Sequence, residues 1–317
     1  MAQATPKLGY LCLSENPTGE TGRALIRQFV LVREAERMGY DDIWLGECHA
    51  DNTWPHGGAM ALLGYLAAVT SKSRIGSMAL MPAMRDAVQL AEDVATLDLL
   101  SKGRFELGVA SGSAFPATLT AHGLTRTEAH ARMRSTLQAV QDLLGQTDFV
   151  PRPAQVSVPI SVATDDQATL RHAAQQGWGL LAAATHSPAR IARAVDIYKD
   201  ASGGRAPSLT LARFACTAAS RDEALSIAQP YFDALVTRSV AEGWGSDREQ
   251  SIARDASALI EDSLIGSHKE VAAQFKDMAT RFGATRIAII PTCAQFDTHK
   301  HILADFVDEV RPLYDDE

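Results

Sequence analysis

The feature that most constrains this chain is an alternation. Eight short apolar or β-branched runs, at residues 8–13, 42–45, 74–80, 105–109, 160–163, 179–183, 209–217 and 286–290, are separated by longer stretches with helical spacing of apolar residues. Those stretches fall at 22–38, 57–70, 87–101, 127–144, 167–176, 187–199, 221–239 and 267–282, and a closing helix is expected at 298–312. Strands joined through helices need right-handed crossovers and form a parallel sheet. Eight such units are the number that closes a barrel. The expected fold is α/β, a single (β/α)8 TIM barrel over residues 1–317 with loop insertions at the top face. An open doubly wound sheet is the alternative, disfavoured because no G-x-G-x-x-G follows the first strand.

Local punctuation agrees. Ser187 before Pro188 supplies a capping hydroxyl ahead of a proline at the first helical position. Ser267 and Glu270 have the spacing of a capping box. Gly39, Gly145, Gly177 and Gly283 each stand where a helix is expected to end. Two stretches, 111–126 and the polar 240–262, exceed ordinary loop length and are expected to act as lids or substrate walls.

Length and charge narrow the function. A chain of 317 residues, 46% hydrophobic, suits one α/β barrel. Its 30 basic against 38 acidic side chains give a net charge of −8, which argues against nucleic acid and against an anionic membrane surface. The four cysteines, Cys12, Cys48, Cys216 and Cys293, form no C-x-x-C pair, so a disulfide framework is not expected and a reducing compartment is. The first residues lack a signal pattern, and no run approaches the ~18 apolar residues of a membrane span. The expectation is a soluble, cytoplasmic protein.

Chemistry concentrates where the second run ends, in Glu47, Cys48 and His49. Parallel α/β proteins build active sites at the carboxyl ends of strands. An imidazole relays protons near neutral pH, whereas a thiol with an ordinary pKa of about 8.5 does so less readily. Metal binding by the three is disfavoured, because consecutive residues at a strand end point to alternating faces.

Three segments resemble the bacterial luciferase-like flavin monooxygenases. They are Gly39-Tyr-Asp-Asp-Ile-Trp-Leu-Gly-Glu-Cys-His49, the run from Arg74 to Gly108 with its Ala-Glu…Leu-Asp-x-x-Ser-x-Gly-Arg pattern, and Leu264-Ile-Gly-Ser-His-Lys-Glu-Val271. The resemblance implies a barrel, commonly a homodimer, that takes reduced FMN from a separate flavin reductase and uses O2 to oxygenate a small organic substrate. A sister branch uses the deazaflavin F420 for hydride transfer, and a non-catalytic subunit is also known in the family. The F420 branch commonly has Asp-His after strand two, so Glu47 leans toward FMN.

The same resemblance nominates residues. His49 matches the second histidine of the family's Glu-His-His, and Cys48 replaces the first, which lies beside the flavin. Cys48 is therefore either a flavin or substrate contact or a small packing residue, and His49 either stands in for the missing imidazole or is a polar residue of the rim. Met78 and Ala79 lie where the family has a bulge, often with a non-proline cis peptide, against the isoalloxazine ring; ordinary strand core is the alternative. Ala110, Ser111 and Gly112 end the fourth run, with Ser111 where luciferase has a phosphate-binding arginine. Thr164, Asp165 and Thr169, with Arg171, fall in the turn that cradles the flavin phosphate. Asp165 and Asp166 are the wrong charge for a phosphate and good N-caps. Trp54, His56, His186 and Trp244 are candidate pocket walls or simply loop side chains. Asp93, Asp98 and residues 102–104 are expected to be structural.

Overall fold

The computed structural model describes residues 5–49, 51, 53–244 and 255–315. In chain order the elements are β1 (Lys7–Cys12), α1 (Thr21–Met38), β2 (Asp42–Leu45), α2 (Ala59–Val69), β3 (Arg74–Ser77), α3 (Ala87–Leu100), β4 (Phe105–Ala110), α4 (Pro116–Ala121), α5 (Arg126–Gly145), β5 (Ile160–Ala163), α6 (Gln167–Gln176) and β6 (Gly179–Ala182). They continue with α7 (Pro188–Ala201), β7 (Leu209–Ala218), α8 (Arg221–Ala241), α9 (Ala256–Glu261), β8 (Leu264–Ser267), α10 (His268–Phe282), β9 (Arg286–Pro291), α11 (Phe296–Asp305) and, after a π-helical turn, α12 (Arg311–Asp315).

Strands β1 to β7 and β9 pair in parallel around a closed circuit, β1 meeting β2 on one edge and β9 on the other, and β7 joining β6 to β9. This is the expected eight-stranded barrel. Its strands lie between a side-chain core and a ring of helices, so they are apolar on both faces. All ten residues of β7 and all four of β2 are buried. Close strand packing also explains Gly108, because a Cβ there would lie 1.9 Å from the Ser77 carbonyl oxygen.

The caps follow the sequence where side chains decide them. Ser187 accepts from the Arg190 N–H, Ser267 and Glu270 form a full capping box, and Gly39, Gly177 and Gly283 end helices in the left-handed region. Gly145 does not: it is the last residue of α5, and extended Gln146 caps it.

Three further differences have physical causes. The third run stops at Ser77, where the chain leaves the sheet in the bulge, with a cis Met78–Ala79 peptide, that the family resemblance implies, and it returns only through an isolated bridge between Leu80 and Val109. A ninth strand, β8, was absent from the sequence reading. It pairs with Ala215–Ala218 of β7, on the edge that β6 occupies lower down. The long stretch 111–126 carries α4, and the end of 240–262 carries α9, while residues 245–254 lie outside the described part. Among the described residues no helix is long and apolar enough to cross a membrane.

Candidate functional site

A cavity of about 240 Å³ opens among the carboxyl ends of the strands. Its walls are mostly apolar: Leu11 and Leu13 from β1 and its end, Met78 and Ala79 after β3, Phe214 from β7 and Ile290 from β9. Cys48, Ala110, Ser111, Thr164 and Asp165 line it too, as do Trp54, His56, His186 and Trp244. Sequence reasoning had named those nine as well as Met78 and Ala79. His49 and Thr169 are not part of this wall.

Glu47 organises the rim. Its carboxylate is almost fully buried, accepts the Met81 N–H at 2.6 Å and pairs with Arg85. Both partners lie just past the cis peptide, so Glu47 ties the end of β2 to the bulge after β3. His49 turns away from the cavity. Its Nε2 stands 3.0 Å from Glu47 Oε1, without hydrogen-bond alignment, and its ring meets His122 edge-on at 5.7 Å. The imidazole is one quarter exposed and so connects Glu47, which lines the cavity, with solvent.

Cys48 points its thiol at Asp51 Oδ2, 3.2 Å away. Burial, and then the Asp51 carboxylate, push its pKa up, so the group is a neutral thiol at any ordinary pH. Asp51 also accepts the Thr53 and Trp54 N–H groups and pairs with Arg238. The Arg238 guanidinium lies over both the Trp54 and Trp244 rings, at 5.0 and 4.6 Å, a cation–π arrangement that holds the aromatic wall. Trp54 donates from Nε1 to Glu15, which also accepts from the Tyr231 hydroxyl. Burial raises the Glu15 carboxyl to about 7 against the pull of those two donors. Glu15, Trp54, Tyr231 and Arg238 also face an adjoining pocket of about 630 Å³.

The two cavity histidines are neutral. Burial takes His56 down to about 4; its Nε2 is 2.6 Å from the Ser14 hydroxyl and its Nδ1 3.1 Å from the Gly46 carbonyl. Burial, then Arg190 and Arg213, hold His186 well below its ordinary value.

The turn after β5 corrects the view of it as simply acidic. Asp166 is the N-cap of α6, accepting from Thr169 N–H and hydroxyl at 2.8 and 2.6 Å and from Arg134 at 2.7 Å. Burial opposes its ionisation, but those bonds outweigh burial and lower its pKa. Thr169 is thus fully buried beneath the turn and engaged with Asp166 and Arg134. Asp165 sits between Arg190, at 3.4 Å, and Arg126, at 3.7 Å. Asp165 and Arg190 line both the cavity and a neighbouring groove of about 320 Å³. Arg171 is exposed and lines neither.

Sequence reasoning missed the arginines and Glu15 because their partners are remote in sequence, and Asp51 because the arginine it pairs with, Arg238, is remote although its other partners are neighbours. One signal was readable: Arg126, His130 and Arg134 are spaced by four and share a face of α5. Of the residues expected to be structural, Asp98 and Arg104 are held within the fold. Asp98 is buried and accepts two bonds from Gln155, and Arg104 donates to the Ser73 and Thr70 carbonyls. Among the described residues no group of three or more His, Cys, Asp or Glu could hold a metal ion.

Known proteins share this architecture. The chain superposes on the monooxygenase RslO1 of Streptomyces bottropensis with a TM-score of 0.85 at 21% identity, covering 97% of this chain and 99% of that one. The oxygenating constituent of 3,6-diketocamphane monooxygenase from Pseudomonas putida, solved with FMN, gives 0.78 at 15% identity, covering 97% and 98%. In sequence, an F420-dependent glucose-6-phosphate dehydrogenase of Kineococcus radiotolerans is 28% identical over 196 residues, 55% of this chain and 56% of that protein. The chain spans between about a third and just over half of the length of the curated relatives it matches. The family model for luciferase-like monooxygenases matches residues 6–286, nearly the whole barrel, and the chain belongs to that family.

Proposed function

We propose that this protein is the oxygenase of a two-component system, taking reduced FMN from a separate reductase and using O2 to oxygenate a small, largely apolar organic molecule. The observation that carries the reading is the cavity itself: a mostly apolar slot at the strand ends, backed by the Met78–Ala79 bulge, with a neutral Cys48, His56 and His186 in its wall and its charged groups, Glu47 and the Asp165–Arg190 pair, at the edges. A flavin fits these residues. The cavity alone is just under the roughly 300–1,000 Å³ of ordinary ligand pockets. Its shared wall with the 320 Å³ groove adds room for a polar tail beside arginines. Gly112, at φ +78°, keeps the loop after β4 tight against Met81, where a Cβ would come within 3.0 Å of the sulfur.

Met78, Ala79, Ala110 and Ser111 would hold the ring, and Thr164 and Asp165 would lie toward its tail. The bound flavin supplies the oxygen activation; the protein orients it and excludes water. Cys48, as a neutral thiol, fills space beside the reaction without competing for protons. His49 carries protons between solvent and Glu47. On this assignment Cys48→Ala retains most product formation, whereas His49→Ala lowers it on the order of 10²-fold.

A second reading, an F420-dependent hydride-transfer enzyme, is favoured by the Kineococcus relative. Titration of the purified protein with oxidised and reduced FMN, FAD and F420, followed by ring fluorescence, decides between them. Reduced FMN is expected to bind tightest. Preferential binding of F420 would replace the oxygenase reading, and no binding of any of them would point to a non-catalytic member.

A further inference from the structure

Asp165 places a carboxylate where a ligand's anionic tail is expected, yet it is not surrounded by repulsive charge. Arg126 from the first turn of α5 and Arg190 from α7 approach it from two sides, at 3.7 and 3.4 Å. Arg134, two turns along α5 on the same face, holds Asp166 instead. The turn therefore sets three arginines against two aspartates, and the pairs divide the work. The Asp166 pair caps α6 and belongs to the fold. The Asp165 pair is not the cap of α6 and lies on the boundary between the cavity and the 320 Å³ groove, whose wall also includes Arg193 and Ser187.

We propose that Asp165 is an internal counter-ion that competes with the phosphate of the cofactor for Arg126 and Arg190, and so sets how tightly a phosphate monoester is held. This inference rests on the flavin reading above for the identity of the ligand, but the arginine pair and its carboxylate stand independently of it. A phosphate dianion reaching Arg190 meets Asp165 at once. Either the carboxylate gives up an arginine or two like charges share the site; both weaken binding of the phosphate and leave an uncharged ring system untouched. The device suits a protein that receives its cofactor from a partner and returns it each cycle, because strong retention of the spent form would slow exchange.

The test compares the parent with Asp165→Asn, which keeps the shape and removes the charge. Dissociation constants for FMN and riboflavin are measured by fluorescence titration at low and moderate salt. In parallel, the effect of inorganic phosphate on the melting temperature is recorded without flavin. The expected result is FMN affinity raised on the order of tenfold, riboflavin affinity unchanged, and a larger phosphate-induced rise in melting temperature in the variant. Arg126→Gln, which removes one of the two guanidiniums facing Asp165 and leaves the residues lining the cavity unchanged, is expected to weaken FMN and leave riboflavin alone. If Asp165→Asn changes FMN and riboflavin equally, or neither, the counter-ion role is overturned. If no flavin binds either protein, the flavin reading fails and the phosphate melting series alone decides. A larger shift in Asp165→Asn upholds the competition for a free phosphate group, and equal shifts overturn it.

Discussion

Glu15 gives the most exacting test of the electrostatics. Its carboxyl is raised from an ordinary 4.5 to about 7, chiefly by burial, so near neutrality the native protein keeps a proton that the unfolded chain has released. For a carboxyl shifted upward, the stabilisation is complete below the unfolded pKa and is lost as pH rises through the folded one, here between about pH 4.5 and 7. At about 1.36 kcal/mol per pH unit, the full difference is about 3 kcal/mol, and between pH 5 and pH 8 about 2 kcal/mol of it should be visible. Glu15→Gln removes the titration and keeps an acceptor for Trp54. Urea unfolding of parent and variant at pH 5, 6, 7 and 8 gives the difference between their stabilities at each pH. That difference should favour the parent most at pH 5 and shrink by about 2 kcal/mol by pH 8. Other groups titrate in the same range, His56 and His299 among them, but they are common to both proteins and cancel. Profiles that run parallel to within about 0.5 kcal/mol would show that Glu15 is ionised and solvated at neutrality, and the burial argument would be wrong.

Three other outcomes follow from the geometry. Gly108→Ala should cost at least about 3 kcal/mol in thermal unfolding, because the new methyl meets the Ser77 backbone oxygen rather than a movable side chain. Glu47→Ala should cost about 3 kcal/mol by denaturant midpoint, since it orphans the Met81 N–H and leaves Arg85 without its carboxylate; Glu47→Gln should cost less. Of the four thiols, Cys12, Cys48 and Cys216 are buried and pushed upward, whereas Cys293 is half-buried. Ellman's reagent at pH 8 should therefore find one prompt thiol in the folded protein and four after denaturation, and prompt reaction of a second would contradict the neutral, buried Cys48.

The barrel was legible because its signal is local. Strands such as β2 and β5 have the bounds that the apolar runs suggest, and the capping serines act within three residues of themselves. What escaped is non-local. The four residues Leu264–Ser267 run straight into a capping box, and only the free edge of β7 makes them a strand. Residues 78–80 look like strand in composition, and it is the family resemblance, not the local pattern, that points to the bulge and cis peptide found at Met78 and Ala79. At the site, the cluster at 47–49 was visible but its division was not: which of Cys48 and His49 faces the cavity depends on Asp51 and Glu47. Asp165 and Asp166 look alike in sequence, yet the Thr169 N–H makes Asp166 the cap, while Arg126 of α5 and Arg190 of α7, both remote in sequence, pair with Asp165.

The long β7 has a consequence for synthesis. Ten consecutive buried residues, Leu209–Ala218, find β6 already made but must wait for β9, about 70 residues later, before the opposite edge is paired. At the ~5–20 residues per second of a ribosome, that edge stays open for roughly 4–14 s. An unpaired apolar strand is a template for association with other chains. The vulnerable period of this protein is therefore the interval between synthesis of β7 and synthesis of β9. Slowing the ribosome between the codons for Ala218 and Arg286 should lower soluble yield more than the same delay placed before Leu209.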